Sequence, residues 1–92
     1  MTLEELYTII EDRKAKMPKD SYVASLFREG RDRIIQKVGE ESTEVIIAAK
    51  NESKQRVVSE VSDLIFHILV MLSYLGIKPS DIDEELSNRN DK

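Results

Sequence analysis

The stretch Lys37-Val38-Gly39-Glu40-Glu41-Ser42-Thr43-Glu44-Val45-Ile46-Ile47-Ala48-Ala49-Lys50-Asn51-Glu52-Ser53-Lys54-Gln55-Arg56-Val57-Val58-Ser59-Glu60-Val61-Ser62-Asp63-Leu64-Ile65-Phe66-His67 decides the fold. It reads as two helices joined at Asn51-Glu52-Ser53, because apolar residues recur at helical spacing on both sides of that polar turn. Residues equidistant from position 52 stand level in such a hairpin at about 1.5 Å rise per residue. Glu44 then faces Glu60, and Glu41 faces Asp63. Within each helix the partners are three apart and share a face. Four carboxylates a few Å apart repel by roughly 2–3 kcal/mol per pair at an effective dielectric of about 20 and 6 Å. Cations relieve that repulsion. Oxygen-only ligands in a chain without cysteine select hard Mg²⁺, or Mn²⁺, over zinc. The expected metal ligands are Glu41, Glu44, Glu60 and Asp63.

An isolated Glu-x-x-Glu pair is ordinarily a solvated helix face. The second pair is set apart by its context. Asp63 opens the run Asp63-Leu64-Ile65-Phe66-His67-Ile68-Leu69-Val70-Met71-Leu72, apolar nearly all round and so expected to be buried. A buried carboxylate needs a partner. His67, one turn beyond Asp63, reads as a satisfied core residue, through a hydrogen bond to Asp63 or through helix packing.

Working outward, the chain is all-α, a hairpin-based bundle of four main helices. Thr2 caps the first, with Leu3, Leu6, Tyr7 and Ile10 on one face, and it ends near Lys16 before Met17-Pro18. Residues 17–30 form a connector with a short helical turn at 23–28. The second helix runs from about Arg31 to Lys50, with Ile34, Ile35, Val38, Val45, Ile46 and Ala49 as its apolar surface. Gly39 inside it costs about 1 kcal/mol relative to alanine, which implies close approach of a ligand or helix. The third helix runs from about Lys54 to Leu75 and stops at Gly76. A last short helix spans Asp81 to about Asn88, with Pro79 or Ser80 at its boundary.

Ninety-two residues make one domain, residues 1–92. A chain this small buries only about 60–65% of its unfolded surface, so an oligomer that completes the core is expected. No cysteine excludes disulfides and thiol catalysis, and fits a reducing cytoplasm. The start Met1-Thr2-Leu3-Glu4-Glu5 lacks the pattern of a signal peptide. The longest apolar stretch, broken by Asp63 and His67, reads as too short to span a bilayer. A net charge of −4 argues against sequence-independent nucleic-acid binding; a polyphosphate ligand stays compatible once metal neutralises the acidic cluster.

Ahead of that cluster, Ser21, Ser25, Arg28, Arg31, Arg33 and Lys37 supply the hydroxyls and cations that bind phosphate. Lys37 lies one turn before Glu41 and level with His67. Lys50 and Arg56 flank the turn, so positive groups bracket the carboxylates at both ends.

Ser21-Tyr22-Val23-Ala24-Ser25-Leu26-Phe27, Asp32-Arg33-Ile34, Lys37-Val38-Gly39-Glu40-Glu41-Ser42-Thr43-Glu44 and Ala48-Ala49-Lys50-Asn51 together resemble the phosphoribosyl-ATP pyrophosphohydrolase family of histidine biosynthesis. The acidic pattern is also similar to the wider MazG-like all-α nucleoside triphosphate pyrophosphohydrolases. The resemblance covers about residues 3–88. Gln36 and Ser42 depart from the common lysine and alanine, and neither falls on an expected ligand. The resemblance implies a cytoplasmic, Mg²⁺-dependent enzyme that assembles as a homodimer or larger. It further implies hydrolysis of 1-(5-phosphoribosyl)-ATP to 1-(5-phosphoribosyl)-AMP and pyrophosphate. With one histidine and no cysteine, the chain looks like the form not fused to the zinc-dependent cyclohydrolase.

The chemistry of the bond assigns the remaining roles. Metal held by the four carboxylates offsets charge on the phosphate oxygens. Glu40 or Glu41 accepts the proton of the attacking water, and Lys37 lies beside the phosphates. Ser25, Arg28, Arg33 and Lys50 are the other expected substrate contacts. Two alternatives share parts of this pattern: a house-cleaning nucleoside triphosphate pyrophosphohydrolase, and a non-enzymatic helical interaction module. Metal-dependent pyrophosphate release separates the module from the enzymes, and substrate competition separates the two enzymes.

Overall fold

Thr2 starts the first helix with a reciprocal cap. Its hydroxyl accepts from the Glu5 amide at 3.1 Å and its own amide donates to the Glu5 carboxylate at 2.7 Å, satisfying two donors that a helix start leaves open. The computed structural model describes residues 1–51 and 53–90. It contains α1 (Leu3–Lys16), α2 (Tyr22–Glu29), α3 (Arg31–Asn51), α4 (Lys54–Leu75) and α5 (Pro79–Asn88). No strand occurs among the described residues. The expected turn at Asn51-Glu52-Ser53 is flanked by the end of α3 and by Ser53, which caps α4 by accepting from the Arg56 amide; Glu52 itself lies outside the described residues.

The all-α class and the long hairpin agree with the sequence. Two elements differ. The connector contains a full helix, α2, started by Ser21, whose hydroxyl accepts from the Ala24 amide at 3.1 Å. Ser21 therefore serves as a helix cap, a role in which its hydroxyl oxygen accepts and its hydrogen is not used. The connector also holds Gly30 at φ 96° and ψ −175°, a conformation that a side chain disfavours, so α2 and α3 meet at a sharp corner instead of fusing. The last helix begins at Pro79, where the missing N–H is no loss, and its start is closed by the Lys78 amide donating to Asp81 at 2.9 Å.

The core gathers at one end of the hairpin. Ile10 of α1, Val23 and Leu26 of α2, Ile34 of α3, and Leu69, Val70 and Leu72 of α4 are buried together. Leu6, Tyr7, Phe27, Ile65, Phe66, Ile68, Met71 and Ile77 pack around them. Tyr7 donates to the Ile77 carbonyl at 2.8 Å, which fixes the exit of α4 against α1. Arg28 donates to the Met17 and Pro18 carbonyls at 3.2 and 3.1 Å, stapling the turn between α1 and α2. In the other half of the hairpin Ala48 is buried, whereas Ile46, Ile47, Val58 and Ala49 are exposed.

Two further expectations are corrected. Among the described residues a Cβ built at Gly39 meets nothing within 4 Å, so no helix of this chain packs closely there, and of the two partners expected at Gly39 a ligand is the one left. And α4, at 22 residues, is by length and composition apolar enough to cross a membrane. Asp63 and His67 do not shorten the run as expected, because the apolar residues on either side outweigh them. In the bundle α4 is the central helix, with Glu60, His67, Leu69, Val70, Leu72 and Ser73 buried on it.

Candidate active site

Three of the four expected carboxylates converge. Glu41 of α3 and Glu60 and Asp63 of α4 each place an oxygen within 4.8 Å of the other two. Glu60 is only 7% exposed, Glu41 is half-buried and Asp63 exposed. The trio thus runs from the hairpin interior out to solvent. Glu44, one turn further along α3, is exposed and is not one of the three. Helical periodicity explains the convergence: positions 60 and 63 share a face of α4, and the hairpin sets position 41 opposite them.

Cations bracket the trio on both sides. Lys37 Nζ lies 3.4 Å from Glu41 and 3.4 Å from Glu40. Arg56 lies 3.0 Å from Glu60. Among the described residues, Asp63 has no cation within ion-pair distance. Burial works against the charge of Lys37, but Tyr22 and the Glu41 and Glu40 carboxylates outweigh it, so the ammonium holds its proton above the ordinary lysine range. Lys37 is thus a cation at neutral pH, pointed at the edge of the trio.

Glu40 stands outside the trio, where Gln36 donates to it at 2.9 Å and Arg33 approaches to 3.6 Å. Arg33 is shared with Glu29 at 3.4 Å. Ser25 donates to the Tyr22 carbonyl at 2.5 Å, and Arg28 is the loop staple described above. Lys50 is exposed at the end of α3. Of the five residues expected at a substrate, Lys37 alone contacts the trio. Of Lys50 and Arg56, both expected to bracket the carboxylates at the turn end, Arg56 is the one paired with the trio, through Glu60.

Sequence reasoning missed one neighbour. Tyr22, the first residue of α2, brings its hydroxyl to 2.9 Å from His67 Nε2, and its ring stacks at 6.1 Å on Phe66. Matching levels within the hairpin says nothing of a third helix; the Ser-x-x-Ala cap that begins α2 was the available signal. His67 itself matches the expectation of a satisfied core residue, with Nδ1 2.7 Å from the Asp63 carbonyl.

Fold and cluster define a class: an all-α protein whose longest hairpin presents an oxygen-only carboxylate cluster between two cations. Comparison with known proteins narrows it. The family model for phosphoribosyl-ATP pyrophosphohydrolase matches residues 3–90, and the chain belongs to that family. It is 50% identical over 90 residues to a phosphoribosyl-ATP pyrophosphatase of Clostridium acetobutylicum, covering 98% of this chain and 82% of the relative. Another, from Geobacter sulfurreducens, is 49% identical over 87 residues, covering 95% and 81%. One from Sulfurisphaera tokodaii is 46% identical over 87 residues, covering 95% and 93%.

Proposed function

We propose that this chain, acting as one catalytic domain over residues 1–92, hydrolyses 1-(5-phosphoribosyl)-ATP to 1-(5-phosphoribosyl)-AMP and pyrophosphate, the second step of histidine biosynthesis. The convergence of Glu41, Glu60 and Asp63 beside Lys37, in a chain matched by that family over residues 3–90, carries the reading.

The donor set fits a hard divalent cation, because every ligand atom is a carboxylate oxygen and two of the three carboxylates are shielded from water. Glu41, Glu60 and Asp63 hold Mg²⁺ or Mn²⁺ in this reading, with Glu44 completing the set from the solvent side. A cation held by these residues would offset charge on the polyphosphate oxygens. Lys37 sets its ammonium beside the same phosphates. Glu41, or Glu40 one position earlier, accepts the proton of the attacking water. Arg33 serves the ribose 5-phosphate end with Ser25, Arg28 and Lys50 as further contacts; of these Arg28 is already engaged with backbone.

The protein works in the cytoplasm as a homodimer or larger assembly, without nucleic acid or membrane as partner. Exposed Ile35, Ile46 and Ile47 along α3 and Val58 on α4 support assembly, since apolar rows of this kind are commonly covered by a second copy.

Pyrophosphate release from phosphoribosyl-ATP, ATP, dCTP and dUTP at equal Mg²⁺ tests the proposal. Strong preference for phosphoribosyl-ATP, abolished by EDTA, is the expected result. Comparable specificity constants for dCTP replace it with the house-cleaning reading, and full activity in excess EDTA removes the metal site.

A further inference from the structure

His67 is the only histidine in the chain and is 6% exposed, yet the reaction described above makes no use of it. Both its nitrogens are engaged. Nδ1 lies 2.7 Å from the main-chain oxygen of Asp63, and Nε2 lies 2.9 Å from the Tyr22 hydroxyl. A carbonyl oxygen only accepts, so Nδ1 carries the hydrogen. The neutral ring then leaves Nε2 as an acceptor, and Tyr22 donates to it.

Tyr22 is otherwise loosely held. It is the first residue of α2 and 50% exposed. Its ring is offset from Phe66 at 6.1 Å and meets His67 edge-on at 5.8 Å. A phenylalanine would satisfy the same ring contacts, so the hydroxyl is specific to the bond with His67. Lys37 stands opposite His67 in the hairpin register that sets Glu41 against Asp63. Lys37 in turn reaches Glu41. The Tyr22–His67 bond thus ties α2 to α4 at the level of Lys37 on α3, one turn away from Asp63.

We infer that Tyr22 and His67 are positioning residues for phosphoribosyl-ATP hydrolysis: a hydrogen-bonded latch that fastens the first turn of α2 to α4 and keeps Lys37 beside the carboxylate trio. The inference rests on the function proposed above. It assigns the latch to substrate placement. The side chains of Glu41, Glu60 and Asp63 are not part of the latch, so cation affinity is expected to change less than substrate affinity.

The test uses the full chain and four variants: Tyr22→Phe, His67→Gln, His67→Leu, and Tyr22→Phe with His67→Leu. A glutamine amide oxygen can accept from Tyr22 where Nε2 did, whereas leucine cannot. Tyr22→Phe is expected to raise KM for phosphoribosyl-ATP about tenfold, with kcat changed less than about threefold, the signature of lost binding rather than lost chemistry. Mn²⁺ affinity, read by electron paramagnetic resonance without substrate, stays within about twofold of the parent, because the ligands are untouched. His67→Gln keeps KM near the parent value. His67→Leu matches Tyr22→Phe, and the double variant is no worse than either single one. If His67→Leu fails to fold, Tyr22→Phe against His67→Gln decides alone. Parent-like KM in Tyr22→Phe overturns the latch. So does a His67→Gln variant as impaired as Tyr22→Phe, or multiplicative losses in the double variant. Nitrogen-15 NMR of the lone imidazole adds a readout independent of activity: hydrogen on Nδ1 and an Nε2 shift that moves in Tyr22→Phe support the latch, and hydrogen on Nε2 alone overturns it. No turnover by the parent refutes the proposed function instead, and the imidazole spectrum still decides the latch.

Discussion

The hairpin of α3 and α4 has two ends that do opposite things. At its base, Ile34 and the segment Leu69–Leu72 are covered by α1 and α2, and the buried apolar residues form one continuous cluster. Toward its turn, Glu41, Glu60 and Asp63 crowd together while Ile46, Ile47 and Val58 face solvent. The same helices thus pass from a region that stabilises the fold to one that strains it. Like charges gathered in a half-buried place oppose folding, so the covered base must hold the turn end in shape. Stability and chemistry are separated along the helix axis by a few turns.

The comparison breaks most sharply at the trio. Asp63→Asn is expected to lower turnover of phosphoribosyl-ATP by about a hundredfold or more, with helical content by circular dichroism unchanged. In EDTA the same variant melts at or above the parent, because it removes repulsion and leaves no cation unpaired. Glu60→Gln loses as much activity but melts lower, since it strips Arg56 of its partner at 3.0 Å. Equal melting shifts in the two variants contradict this account of the charges.

A substitution at the base acts in the reverse sense. Ile10 is fully buried, and Ile10→Ala leaves a cavity costing about 2–5 kcal/mol. Urea titration measures the loss, while the specific activity of the folded fraction stays near that of the parent. A loss below about 1 kcal/mol refutes the placement of the core.

A smaller effect belongs to the seam between α1 and α4. Ser73, fully buried, donates to the Glu11 carboxylate, and Lys14 reaches both the Ser73 carbonyl at 2.8 Å and Glu11 at 3.3 Å. The Ser73 hydroxyl foremost, against the opposing effect of burial and with help from Lys14, holds Glu11 below the usual carboxylate range. A carboxyl lowered on folding adds stability above its unfolded pKa, and that stability is lost as pH falls through the folded value. Ser73→Ala should therefore cost about 1 kcal/mol near neutrality, and the gap to the parent should narrow in acid. A gap that widens on acidification contradicts the assignment.

The smallest effect sharpens the picture of the turn end. Gly39 is helical with open space around it, so Gly39→Ala should stabilise by about 0.5–1 kcal/mol. Destabilisation on melting shows that something packs against that face in the assembled protein.

Much of this was legible in the residues. Thr2 as a cap, Gly76 as a stop and the lengths of α3 and α4 follow from local rules of a few residues' range. So does the pairing of position 41 with 63, whereas the companion pairing of 44 with 60 gives way to Glu41 meeting both carboxylates of α4. Less legible was which polar side chains the fold itself would engage. Ser25 and Arg28 looked like phosphate contacts by type, but their hydrogen bonds go to the backbone of α2 and of the turn before it. Gly39 implied close approach of a ligand or a helix, and the helices of this chain leave the space beside it open.

The sequence by itself determined the helices, the hairpin and the acidic faces, because periodicity and capping depend on neighbours within about one helical turn. Only the tertiary structure decided that Glu44 stands apart from the trio, that Arg56 rather than Lys50 reaches it, and that Tyr22 from a third helix is fastened to His67. Those outcomes turn on differences of a few Å in how helices lie against each other, and such distances arise from packing of the whole core rather than from any one segment.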